Sequence, residues 1–321
     1  MSRRITVIGA GVIGLSIAHD FAIRDERVTV ITDADTMDTV SAVSAALWFP
    51  FKTEKSEFAD RLLARSLTRF TELLDVPGAG VSMRDGTMVE RHADPDRSWT
   101  TALSGARDAP AASLPDGAAS GLRVAAPFID IPRYLPWLRE QARAAGATFE
   151  LRAIHSLGEL QDSSDLIVVA TGIRGGQLLG GDDSVYPVRG QIVRLENPGV
   201  REWIVDEDHP RGITYVFPRE HDLLVGGTVD EGDWDLEVRP EVQTAMLERA
   251  AELVPALTGS RVLGAAVGLR PARPRIRLEV VDPAELSASV PVIAAYGHGG
   301  SGVTLSWGTA EAVLDLAEAI R

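Results

Sequence analysis

The sequence predicts an α/β protein in which a doubly wound parallel sheet is joined to a second domain built on a mainly antiparallel sheet. Three observations carry this. Residues 5–32 read as β-rich run, turn, helix and β-rich run; DLIVVATG at 165–172 is apolar throughout, as a strand buried on both faces must be; and four short alternating runs follow one another between 191 and 229.

ITVIG (Ile5–Gly9) and VTVIT (Val28–Thr32) are the first two strands, and GVIGLSIAHDFAIRD between them sets Val12, Leu15, Ala18 and Ala22 at helical spacing. Phe58, Leu62, Leu63, Leu67, Phe70 and Leu74 mark an amphipathic helix within Ser56–Leu74. From His92 to Pro127 the composition shifts to Ala, Ser, Gly and Pro. This reads as a linker between domains, or as an excursion before a return to the first one. Ile131–Ala147 is a helix and TFELRAI a strand. QIVRLE, EWIVDE, GITYVFPRE and HDLLVGGTV are the antiparallel runs. A helix over 241–254, strands over 261–268 and 290–297, and a helix over 303–320 complete the chain.

The 321 residues hold 46 acidic and 32 basic side chains, a net charge of −14, which repels phosphate backbones and excludes nucleic acid as a partner. The absence of cysteine removes disulfides, thiolate nucleophiles and zinc–thiolate sites, and no metal is expected. No run is long and apolar enough to span a bilayer, and Arg3-Arg4 is followed by a glycine-spaced segment without a cleavage site. The chain ends LAEAIR, without a peroxisomal tripeptide, so a cytoplasmic location is expected. The oligomeric state stays open, a homodimer included.

Gly9-Ala10-Gly11-Val12-Ile13-Gly14 follows the first strand and opens the first helix, with Asp33 at the end of the second strand. That context makes the pattern a Rossmann-like dinucleotide fingerprint. Gly9 permits the turn, Gly11 lets the backbone approach a pyrophosphate, Gly14 allows close packing, and Asp33 takes a ribose hydroxyl. The motif by itself leaves NAD and FAD open, and with NAD a dehydrogenase. Ala170-Thr171-Gly172 and the segment Tyr296–Gly302 lean towards FAD, since main-chain N–H groups converging ahead of a helix stabilise the negative charge of a reduced flavin. In Gly268–Arg277, Arg273 and Arg275 read equally as solvated, ion-paired residues. Arg270 follows an apolar strand, is fixed by Pro271 and suits a bidentate carboxylate clamp. His298, flanked by glycines, reads as a hydrogen-bonding residue rather than a proton carrier.

VIGAGVIGLS, SAALWFP at Ser44–Pro50, GLRPARPRIRLE and YGHGGSGVTLSWG occur in an order and spacing that resemble the D-amino-acid oxidase family from end to end. The resemblance implies a hydroxybenzoate-hydroxylase-like architecture. Its FAD-binding domain would be assembled from 1–53, 135–187 and 268–321, beside a substrate-binding domain from 54–134 and 188–267. It further implies oxidation of D-amino acids by hydride transfer from Cα to flavin N5, with oxygen reoxidising the flavin to give hydrogen peroxide, 2-oxo acids and ammonia. FAD would contact the Gly9–Gly14 loop, Asp33, Ser41, the backbone of Ala45, Ala46 and Leu47, and Ile154, Thr171 and Gly172. Its ring would lie against Gly299, Gly300, Ser301, Gly302, Val303 and Thr304. Arg270 would hold the substrate carboxylate with Tyr215 as its partner, and the Gly300 backbone would face the amine. Leu47, Phe49 and Val205 would line an apolar side-chain pocket. No residue is expected to act as acid or base, because hydride transfer from a neutral amine needs only alignment and electrostatics.

Two departures from the family bear on specificity. RGITYVFPRE is short and holds Tyr215 as its one tyrosine, which predicts no lid. The cousin D-aspartate oxidase places an arginine shortly before this tyrosine, where this chain has Asp206-Glu207-Asp208-His209-Pro210. Anions there disfavour a dicarboxylate, so neutral D-amino acids are expected, with Arg211 as the one nearby cation. D-aspartate oxidase and a glycine-oxidase-like enzyme are the alternatives, and a flavin-binding sensor without turnover is a third.

Overall fold

The computed structural model describes residues 2–51, 53–282, 286 and 288–320. In chain order the elements are β1 (Arg4–Ile8), α1 (Val12–Ala22), β2 (Arg27–Thr32), α2 (Glu57–Glu72), β3 (Val81–Glu90), β4 (Arg107–Asp108), β5 (Ser120–Ile129) and α3 (Ile131–Ala144). They continue with β6 (Thr148–Leu151), β7 (Leu166–Val169), a single turn α4 (Gly175–Leu178), β8 (Tyr186–Leu195), β9 (Trp203–Asp206), β10 (Thr214–Pro218), β11 (Leu223–Gly226) and β12 (Asp230–Glu231). The last are α5 (Pro240–Leu253), β13 (Val262–Ala272), β14 (Arg277–Val280), β15 (Val292–Tyr296) and α6 (Ser306–Ala319).

Among the described residues the strands form two sheets. The first runs β14-β15-β7-β1-β2-β6 and is parallel except for β14. Its central strands alternate between two cores. Leu166 and Val168 of β7 face a core with α1, α3 and α6, whereas Ile167 and Val169 face another with Leu157, Leu160 and Leu179. Covering both faces is what makes this run apolar throughout.

The second sheet runs β13-β8-β11-β10-β9-β3-β5-β4, with β12 on the β11 side of β8, and is antiparallel except where β3 meets β9. Successive β8 side chains point to opposite faces. Ile192 joins an apolar cluster with Leu47, Val205, Tyr215 and Phe217, whereas Val193 packs under α5 with Met246 and Ala250.

Part of the loose stretch at 92–127 is regular structure: β5 pairs with β3 along ten residues each. Its alternation is hidden by Pro127 and by alanines, and that of β3 by Gly86, whose missing side chain makes room for Trp203: a Cβ there would lie 1.9 Å from the indole. Helix α2, placed in the substrate domain by the sequence-based division, packs on α6 of the parallel-sheet unit. A Cβ on Gly308 would meet the Leu62 carbonyl oxygen at 2.1 Å, and Gly308 N–H donates to Ser66 Oγ at 2.8 Å.

Candidate active site

One cavity of about 690 Å³ runs from the C-terminal ends of the parallel strands to the face of the antiparallel sheet, a size in the range of small-molecule and cofactor sites. At the first end β1 gives way to Gly9 (φ +111°), whose absent Cβ would lie 2.5 Å from the Ala170 carbonyl oxygen at the end of β7. A side chain on Gly14 would meet the Gly9 carbonyl oxygen at 1.9 Å, so α1 starts hard against the strand. The first turn of α1 carries no acidic residue, which leaves its positive end to an anion. Val12 N–H donates to Ser41 Oγ at 3.0 Å.

Asp33 follows β2 and is ion-paired with Arg174, and both line the cavity. The Thr171 hydroxyl is buried without a protein partner and also on the cavity wall, a polar group oriented for an occupant. A glycine cradle, an unopposed helix N-terminus, a carboxylate at the end of β2 and an orphaned hydroxyl in a cavity of this size fit a flavin dinucleotide.

Leu47, Phe49, Val205, Tyr215, Phe217, Ile192 and Ile213 make the other end apolar. Arg270, half-buried on β13, projects over Gly190, where a Cβ would lie 2.4 Å from its Nη2. Its Nη1 donates to the Thr228 carbonyl at 2.9 Å, and its Cζ lies 5.7 Å from the Phe51 ring centroid. Among the described residues no carboxylate lies within ion-pair distance of Arg270, although most arginines of this acidic chain are paired. An unneutralised guanidinium in an apolar wall is a receptor for an anion. The Tyr215 ring stacks on Phe217 at 4.9 Å and lies over Gly226 and Gly227, where side chains would collide with it. Burial raises the pKa of its hydroxyl, against the pull of the Arg270 guanidinium beside it.

The cavity brings together Gly9, Ala10, Gly11, Val12, Ile13, Asp33, Ser41, Ala45, Ala46, Ile154, Thr171 and Gly172 with Gly299, Gly300, Gly302, Val303 and Thr304. Two expected contacts lie off its wall. Gly14 packs on Gly9, and Ser301 directs its hydroxyl to the Phe51 carbonyl at 2.7 Å. His298 is buried, contacts Thr309 Oγ1 through Nε2 at 3.0 Å, and is pushed by burial down to about 4, so it is neutral near pH 7.

The acidic run before Tyr215 contributes less than its sequence promises: of its carboxylates, only Glu207 lines the cavity. Asp206 is wholly buried against Arg91, and Asp208 faces His92. Arg211 pairs with Glu248 and Glu252 of α5, away from the site, so it supplies no second cation. The motifs did not single out Gly190, Gly226, Gly227, Phe51 or Arg174. Glycine inside a strand was the available signal for Gly190 and Gly226, since it marks close approach.

Residues 4–316 match the FAD dependent oxidoreductase family DAO. The chain belongs to that family. FAD is its cofactor. It is 41% identical over 317 residues to a D-amino-acid oxidase of Rubrobacter xylanophilus, covering 98% of this chain and 96% of that one. It is 33% identical over 322 residues to the D-aspartate oxidase of Homo sapiens, covering 96% and 93%. A solved glycine oxidase from Bacillus cereus superposes with a TM-score of 0.81 over 100% of this chain and 96% of that one, at 20% identity, a likeness of fold.

Proposed function

We propose that this chain oxidises neutral, apolar D-amino acids to 2-oxo acids and ammonia, with oxygen reduced to hydrogen peroxide, in the cytoplasm. The observation that carries the reading is the Arg270 guanidinium, unpaired with any described carboxylate and set in an apolar wall of the flavin cavity. Arg270 binds the substrate carboxylate bidentately, and the Tyr215 hydroxyl donates to the same group. The Gly300 backbone faces the amine, and Leu47, Phe49 and Val205 enclose the side chain. FAD, held by the Gly9–Gly14 loop, Thr171 and Gly172, would supply a two-electron acceptor for the hydride from Cα that oxygen then reoxidises. The imino acid left behind hydrolyses in water.

Proton transfer is no part of what the protein contributes. His298 is neutral near pH 7 and bonded to Thr309, so it aligns its neighbours and relays no proton. Glu207 disfavours an acidic side chain, and Arg211 is engaged elsewhere. For the domains we propose flavin segments 1–53, 135–187 and 268–321 and substrate segments 54–134 and 188–267, with α2 riding on the flavin unit.

Anaerobic mixing of the holoenzyme with D-valine, L-valine, D-aspartate and glycine tests the reading through loss of flavin absorbance. Rapid bleaching by D-valine, with slow or no bleaching by the other three, is expected. Faster reduction by D-aspartate or glycine overturns the substrate class, and no reduction by any of them makes the protein a sensor.

A further inference from the structure

We infer that Thr228, whose hydroxyl is bonded to the backbone of Arg189 and Gln191, is a positioning residue for the Arg270 clamp. The inference rests on reading Arg270 as the carboxylate receptor. Alternation along β8 sets it up: Val188, Gly190 and Ile192 share one face, and Gly190 and Ile192 line the cavity. Arg189 and Gln191 point the other way, and both are fully buried. None of Arg189, Gln191 and Thr228 lines the cavity.

Behind the sheet these two side chains fasten the segment from Asp230 to Arg239, which follows Thr228. Arg189 donates from Nε to the Asp235 carbonyl at 2.8 Å, from Nη2 to the Glu237 carbonyl, and from Nη2 to Gln191 Oε1 at 3.2 Å, and its Nη1 lies 3.4 Å from Asp230 Oδ2. Gln191 binds Arg239 both ways, accepting from its N–H and donating to its carbonyl, each at 3.0 Å. The segment therefore has side-chain anchors at 230, 235, 237 and 239.

Thr228 closes the array. Its hydroxyl accepts from Gln191 N–H at 3.0 Å and donates to the Arg189 carbonyl at 3.4 Å. Its carbonyl accepts from Arg270 Nη1 at 2.9 Å, and the Arg189 carbonyl accepts from the same atom at 3.5 Å. One edge of the guanidinium is thus occupied by two fixed backbone acceptors, which orients the remaining donors towards the cavity. A planar fork binds a carboxylate bidentately only in a narrow orientation, so fixing its far edge lowers what must be ordered when substrate arrives. The device acts on binding and lies outside the reach of the reacting atoms.

The test uses holoenzyme carrying Thr228→Val, Thr228→Ser and Gln191→Ala. KM and kcat are read with D-valine, and Kd for benzoate, a carboxylate without an amine, from flavin absorbance. Thr228→Val keeps shape and removes the hydroxyl, so it remains informative if Gln191→Ala does not fold. KM and the benzoate Kd should rise about tenfold in Thr228→Val with kcat within about twofold, and Thr228→Ser should restore both. An unchanged KM in Thr228→Val, a fall in kcat alone, or Thr228→Ser as impaired as Thr228→Val overturns the inference. Arg270→Ala in the same assay separates the two readings. If it raises KM while Thr228→Val does not, only the positioning role is lost; if it too leaves KM unchanged, the clamp itself is wrong.

Discussion

The two ends of the cavity are built on different principles. The nucleotide end is made largely of backbone: Gly9, Gly11, Gly172 and the start of α1 present main-chain groups, and among its charged side chains Asp33 and Arg174 form an exposed pair. The substrate end is made of side chains drawn from separate strands of one sheet: Arg270 from β13, Tyr215 from β10 and Val205 from β9. What places them is the absence of side chains on the strands between, at Gly190, Gly226 and Gly227. A dinucleotide can be held by any backbone of the right curvature, whereas an amino acid has to be recognised by a charge in a fixed place.

If that division holds, damage at one end should leave the other end's measurements alone. Arg270→Ala gives the largest effect. Removing the guanidinium leaves the substrate carboxylate without a counter-charge in an apolar pocket, about 2–5 kcal/mol, so kcat/KM for D-valine should fall by about 30- to 5,000-fold. FAD content and the flavin spectrum should match wild type. A variant that also loses flavin would break the separation, and a kcat/KM near wild type would remove the clamp.

His298 stands next to Gly299 and Gly300 on the cavity wall, and its burial gives the next largest effect. Its pKa is held at about 4 in the folded chain against an ordinary 6.5. Between those values the unfolded chain takes up a proton that the folded chain refuses, so stability falls as pH drops from about 6.5 to about 4. Above 6.5 this residue adds no pH dependence, and below 4 its effect is complete, at a total of about 3 kcal/mol. His298→Asn should flatten that part of the Tm–pH profile while kcat at pH 7 to 8 stays within a few fold. A collapse of kcat at those pH values would give His298 a proton-transfer role and overturn catalysis by alignment alone.

Gly14→Ala is the converse of Arg270→Ala. The new Cβ would lie 1.9 Å from the Gly9 carbonyl oxygen, a backbone atom that cannot rotate away. Overpacking of this kind amounts to about 1–3 kcal/mol. It should appear as weaker FAD retention, read from the ratio of protein to flavin absorbance after gel filtration. Molecules that keep their flavin should show an unchanged KM for D-valine. A raised KM in those molecules would mean that the two ends are mechanically joined.

The same contrast explains what could be read in the sequence. The nucleotide end was legible because strand, turn, helix and second strand are consecutive, so the spacing of Gly9, Gly11, Gly14 and Asp33 is itself the geometry. Arg270 was legible as a candidate because Pro271 and an apolar strand frame it. Its supports were not, since Gly190, Gly226 and Thr228 are brought to it by strand order, which no local pattern encodes. The acidic run at 206–208 was legible only as a whole: composition counts three charges, but strand alternation turns Asp206 onto Arg91 and leaves Glu207 on the cavity wall. Strands β3 and β5 were lost to Gly86 and Pro127, residues kept by packing against Trp203 and by the Trp48 N–H that the Pro127 carbonyl accepts at 2.9 Å.

Ala46 offers the finest probe, because it sits where the two ends adjoin. It lines the cavity in the left-handed region at φ +57°, a conformation that costs a residue with a Cβ about 1–2 kcal/mol. It is kept there by its neighbours. The Ala46 carbonyl accepts from Ile129 N–H at 2.9 Å, and Leu47 bridges to Phe128 on β5. Those bonds tie the segment carrying Leu47 and Phe49 to the antiparallel sheet, while Ala46 belongs to the core under the parallel sheet. Ala46→Gly removes the steric penalty but frees the unfolded chain, and the two terms oppose each other. The relief is the larger, so a gain of about 0.5 kcal/mol or less in unfolding free energy is expected, with KM and FAD retention unchanged. A clear loss of stability would mean that the Ala46 methyl group contributes more by packing than its backbone conformation costs, and this boundary between cofactor and substrate would then be a packed contact rather than a strained hinge.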